Sequence, residues 1–306
     1  MKIFLHFTLS TLCLSQTEEK ILSIKTHRRM DMNTQQNQSQ RLMVFVLTMA
    51  LYGLATLFTE LIPKFQIGLV EFSVEYFLFI PLTLAMLFDP LSVALGAATG
   101  ELVFSEIMLG QFGGLGELEK FITVTIGVYI AGRMVKNPGD RKMVAIAAYT
   151  GTVIQLALGM IVDILKVQLA VEEFEAVPGL PESVYLTEGF AFLNDALFSG
   201  ILFCLLPTLY LIPKFYGKIE PLLGTSPRTP ESDLGKISGK VITACVVAFA
   251  VAAAAELLAT SGLSIIDWEA DWAESSTSIA VALVVAAALC VASVLFIRQK
   301  NSKTTR

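Results

Sequence analysis

Long hydrophobic runs recur from about residue 41 to 298, and the polar connectors between them alternate in charge. The runs fall at about 42–62, 72–88, 91–109, 121–135, 143–165, 189–212, 241–258 and 279–297. Most reach or approach the ~18 apolar residues of a membrane-crossing helix, so the pattern predicts a polytopic all-α transmembrane bundle. A membrane β-barrel would show alternating segments of about 10 residues, and none is visible. Helix-breaking signals bound the runs: Pro63, Asp89-Pro90 and the triplet Asn137-Pro138-Gly139.

Charge then orients the runs. The fourth run exits into Arg133, Lys136, Arg141 and Lys142, and the sixth into Lys214, Lys218, Arg228, Lys236 and Lys240. The fifth exits into Glu172, Glu173, Glu175, Glu182 and Glu188, and the seventh into Asp267, Glu269, Asp271 and Glu274. Basic connectors stay on the cytoplasmic side. Eight spans with both termini cytoplasmic satisfy this alternation, in a multi-pass protein of the cell membrane. Trp268 and Trp272 read as interfacial anchors.

The expected organisation is an N-terminal extension (1–40), a six-span core (41–216), a cytoplasmic linker (217–240), a two-span hairpin (241–298) and a basic tail (299–306). Two readings of the extension stay open. Residues 1–15 resemble the apolar core of a signal peptide, which fits a cleaved signal or a short extra anchor. The basic stretch after them, with Met30 and Met32, equally fits a mis-called start or a disordered extension.

Composition narrows the function classes. Of 306 residues, 54% are hydrophobic and 16% charged, against about a quarter charged in soluble domains. The net charge of −5 gives no nucleic-acid footprint. Cys13, Cys204, Cys245 and Cys290 are scattered through apolar runs, and His6 and His27 lie in the extension, so no metal or disulfide framework is implied. HExxH, GxSxG and P-loop patterns are absent. No extramembrane segment is long enough to bury a catalytic core. An enzyme and a bound cofactor are therefore not expected.

Small residues at helical spacing predict close packing: Gly96 and Gly100, Gly127 and Ala131, Ala147 and Gly151. Ala50, Gly53 and Ala55 give the first span a small-residue face for packing or docking. Polar residues inside spans are rarer and more telling. Glu75, Glu101, Asp163, Asn194 and Asp195 all fall toward the outer leaflet, level with Glu119 and Lys120. The seven together are the candidate lining of one outward-opening pocket. The competing reading has each carboxylate snorkelling to headgroups or pairing with Lys120 or Lys166. Glu256 stands alone near the end of its span and reads as interfacial.

Residues ~41–216 resemble the substrate-binding S component of energy-coupling factor (ECF) transporters. The likeness is carried by MALYGLATLF, by VEFSVEYFLFIPLTLAMLFDPLSVALGAATGELV, and by GELEKFITVTIGVYIAGRMVKN with its basic exit. Asp89-Pro90 stands where that family has a Gly-Pro-like turn, followed by Gly96, Gly100 and Glu101. The family's AxxxA docking motif is broken here, because Leu54 follows Ala50, and spans seven and eight lie outside its six-span core. The resemblance implies capture of a vitamin-like nutrient, with a transmembrane coupling subunit and ATPases as partners. Acidic outer connectors favour a cationic or neutral substrate. The alternatives are a stand-alone ion-coupled carrier and a non-transport accessory protein.

Overall fold

The computed structural model describes residues 38–60, 65–67, 70–72, 77–171, 180–231, 238–263 and 268–269. Helix α1, Gln38–Glu60, is 23 residues long and so about 35 Å from end to end, enough to cross a ~30 Å hydrocarbon layer. Three more helical stretches are long and apolar enough to do the same: α5 (Arg141–Gln168), the stretch 181–215 that holds α6 (Val184–Leu197) and α7 (Leu206–Phe215), and α8 (Gly239–Leu258), which runs on to Gly262. The chain is an α-helical membrane protein. The eighth predicted span lies outside the described residues.

The second predicted span, 72–88, is corrected. Helix α2, Phe79–Leu87, has nine residues, about 13 Å, less than half a bilayer. Upstream of it, β1 (Phe65–Ile67) and β2 (Val70–Phe72) form an antiparallel hairpin with Phe65 opposite Phe72 and Ile67 opposite Val70. The sequence itself explains this. In β2, apolar Val70 and Phe72 flank Glu71, the period of two that suits a strand. A second small ladder pairs β3 (Gln111–Phe112) with β4 (Trp268–Glu269).

Helix α3, Pro90–Glu101, starts at a strong boundary. Asp89 accepts from Ser92 N at 3.0 Å and from Ser92 Oγ at 2.7 Å, while Pro90 occupies the first helical position. The helix continues through a π-turn, Leu102–Ile107, closed by a bond from Met108 N to the Val103 carbonyl at 3.0 Å. A second π-turn, Gly200–Leu205, joins α6 to α7.

Helix α4, Leu118–Met134, is the centre of the bundle and packs against α2, α3, α5 and α8. The core runs through Leu82, Ala85 and Met86 of α2, Val93 and Ala97 of α3, Val124 and Val128 of α4, and Val144 and Ala147 of α5. The small-residue pairs meet one another at the crossings. A Cβ placed on Gly127 would lie 2.7 Å from the Gly151 carbonyl oxygen, and one on Gly151 would lie 2.7 Å from the Ala131 Cβ. On the other side, a Cβ on Gly53 would lie 2.7 Å from the Gly100 oxygen, and one on Gly96 would strike the Phe45 carbonyl. Backbones approach this closely only where side chains are missing. Ala55 is buried beside them, while Leu54 is exposed.

The segment after α7 is packed, not loose. Arg228 is buried and donates to the carbonyls of Ala85 (2.7 Å) and Phe88 at the end of α2, and of Gly132 (2.9 Å) and Val135 (3.1 Å) at the end of α4. Tyr216 Oη holds the Arg228 carbonyl at 2.5 Å. Burial lowers the guanidinium's pKa to about 10, with Asp89 opposing the shift, so it stays charged at neutral pH.

Candidate functional site

At the end of the bundle opposite Arg228 lies a cavity of about 540 Å³. Its walls come from six directions. The end of α1 supplies Thr56, Thr59 and Glu60; α3 with its π-turn supplies Glu101 and Glu106. The head of α4 brings Glu117, Glu119 and Lys120, and α5 brings Gln155, Asp163 and Lys166. Glu188 and Asp195 come from α6, and Glu256 from the end of α8. Nine carboxylates therefore face two lysines. Val124, Leu156, Met160 and Phe192 give the cavity an apolar portion.

Local geometry places these groups. In a regular α-helix, residues five apart point about 140° away from each other. The π-turn closes i to i+5 bonds, which stacks Glu106 over Glu101 and turns both carboxylates to the same wall. The connector turns at Gly110 and Gly114, both at positive φ (75° and 69°), and beyond it Lys120 on α4 reaches back to Glu106, 14 positions earlier. Gly116 leaves room for the Glu256 carboxylate, which a Cβ there would strike.

Both lysines are held by pairs of acids. Lys120 Nζ lies 3.0 Å from Glu106 Oε1 and 3.4 Å from Glu117 Oε2. Lys166 Nζ lies 2.9 Å from Asp163 Oδ1 and 3.5 Å from Glu256 Oε1, tying α5 to α8. Burial holds the Glu117 carboxyl above the usual carboxylate range, and Glu106 adds to the shift against the pull of Lys120. Four buried oxygens in the cavity wall have no hydrogen-bond partner: Glu101 Oε2, Glu117 Oε2, Glu119 Oε1 and Gln155 Oε1; of these, Glu117 Oε2 faces Lys120 Nζ at 3.4 Å. Among the described residues no cluster of His, Cys, Asp or Glu is arranged to hold a metal ion.

The structure brings Glu101, Glu119, Lys120, Asp163 and Asp195 to this one cavity. Asn194 is not in its wall and donates to Asp195 Oδ1 at 3.5 Å instead. Glu75 lies outside the described residues. Glu256, read as standing alone, has company: it lines the cavity and pairs with Lys166. Reasoning from spans missed Glu60, Glu106, Glu117, Gln155 and Glu188, the last read only as part of an acidic connector. Glu60 and Glu117 sit at helix ends, where charge is ordinary, and Glu106 is on the wrong face of a regular helix. Gln155, buried on α5 one turn after Gly151, was the legible one, since a lone amide in an apolar run needs a partner.

No curated protein and no solved structure matches the chain. A family model described as a family of unknown function (DUF8171) matches residues 43–306, which takes in most of α1 and every described helix after it. The chain carrying this acidic cavity belongs to the DUF8171 family.

Proposed function

We propose that this protein is a substrate-capture subunit of an ECF-type, ATP-driven importer, holding a small nutrient in the acidic cavity. The cavity carries the reading. Its ~540 Å³ lies within the range of small-molecule sites, about 300–1,000 Å³. Charged groups are costly inside a bilayer and collect where a bundle serves a ligand or an ion. The basic end, with Arg133, Lys136, Arg141, Lys142 and Lys214, faces the cytoplasm on this reading, so the cavity opens outward. Eight spans, cytoplasmic termini and a cell-membrane location complete the proposal. Coupling and ATPase subunits are the partners it requires, because the chain has no P-loop of its own.

Native mass spectrometry of the protein purified from its own membranes tests this. A retained small molecule together with ATPase subunits supports the proposal, and a protein that arrives alone and empty overturns it. A second reading, an ion-coupled carrier, is favoured by one observation: Lys120 and Lys166 each bridge two acids and have alternative partners within the same cavity. Substrate flux into proteoliposomes that contain no ATPase would favour this carrier reading over the first.

A further inference from the structure

Two observations define the ligand's chemistry, and the inference rests on the capture reading above. The first is a charge imbalance. Each lysine in the cavity is already shared by two acids, and Glu101, Glu119 and Glu188 have no lysine at ion-pair distance among the described residues. The second is independent of net charge. Gln155 is only 6% exposed, and its Oε1 is buried without a donor. Of the other wall oxygens without a hydrogen bond, Glu117 Oε2 faces Lys120, while those on Glu101 and Glu119 have no lysine at ion-pair distance among the described residues and are acceptors as well. Buried acceptors left without donors are costly, so the wall is built for a ligand that brings donors.

We infer that the cavity takes a small organic cation whose charged end carries N–H groups and whose body is apolar, such as an amine or an amidine. Charge-assisted N–H bonds to Glu101 and Glu119 would satisfy both the charge and the acceptors. Gln155, a neutral acceptor, would fix the orientation of one N–H. Val124, Leu156, Met160 and Phe192 supply the apolar surface for the body, and the Phe192 ring adds attraction for a cation. A metal ion fits poorly, because the acids are spread over separate walls and form no ligating cluster among the described residues. A quaternary ammonium would bring charge but leave the acceptors unmet.

The test uses the full-length protein in detergent and probes that share one ring. Benzamidine and phenethylamine carry charge and N–H donors. Benzyltrimethylammonium carries charge alone, benzyl alcohol is neutral, benzoate is an anion, and manganese chloride supplies a bare cation. Thermal-shift titration and isothermal calorimetry at millimolar concentration should show saturable binding of benzamidine and phenethylamine, and at least roughly tenfold weaker binding of the rest. Gln155→Leu and Glu119→Gln should each weaken benzamidine roughly tenfold, with gel-filtration profiles unchanged. Equal binding of benzyltrimethylammonium, preference for benzoate or manganese, or no binding of either N–H cation would overturn the inference. A neutral or anionic molecule retained in native mass spectrometry would overturn it too, while leaving the capture reading in place.

Discussion

Arg228 donates a hydrogen bond of 2.9 Å to the carbonyl of Gly132, 96 positions earlier in the chain. The same guanidinium serves the last carbonyls of α2 as well, so one side chain closes two helix C-termini. Those carbonyls have no partner inside their own helices. The fork of Arg matches four acceptors at once, and a single ammonium cannot. Arg228→Met should destabilise the protein by about 2–4 kcal/mol, and Arg228→Lys should recover only part of that. Thermal and denaturant unfolding in one detergent would give both differences. Equal stability of Arg228→Met and the parent protein would mean that water caps these helices.

Glycine substitutions should separate two positions on the same helix. Gly151→Ala places a methyl 2.7 Å from both the Gly127 oxygen and the Ala131 Cβ, and should cost about 1–3 kcal/mol. Gly159→Ala meets nothing within 4 Å and should stabilise by about 0.5–1 kcal/mol. Melting temperatures of the two variants should move in opposite directions.

Lys166 joins α5 to α8 through Asp163 and Glu256. Lys166→Met leaves two carboxylates in the cavity without this cation, a loss of about 1–3 kcal/mol. Adding Glu256→Gln should return part of it, because one orphaned charge is then gone. A double-mutant cycle on unfolding free energy measures the coupling, and strict additivity would mean the pair contributes nothing.

Acidity should stabilise the Glu117 region. Its carboxyl holds its proton more tightly folded than unfolded. Stability from this group therefore rises as pH falls from the folded pKa toward the ordinary carboxylate value, and is lost as pH rises. The melting temperature should increase on mild acidification, and Glu117→Gln should flatten part of that slope. A slope unchanged in Glu117→Gln would place the effect on other acids.

Legibility in the sequence followed the length of the periodic signal. Helices α1, α5 and α8 and the stretch 181–215 stood out because their apolar runs are long enough to be unambiguous. The β1–β2 hairpin lies ahead of the predicted second span except for Phe72, in a connector too short and mixed in polarity to announce a strand pair. Glu101, Glu119, Lys120, Asp163 and Asp195 were found because charge inside an apolar run is conspicuous by itself. Glu106 was hidden for a different reason. No residue type announces a π-turn, and regular helical spacing turns Glu106 away from Glu101.

The π-turn at Leu102–Ile107 also sets how this chain tolerates a change in length. Shortening a regular membrane helix by one residue rotates everything beyond the cut by about 100°. Removing one residue such as Val103 would instead let the turn relax to ordinary helix, leaving Glu101 and the former Glu106 four apart and only about 40° out of line. Homologues one residue shorter at this point would keep both acids on the cavity wall, whereas a gap at Ala97 would carry the α3 surface off α1.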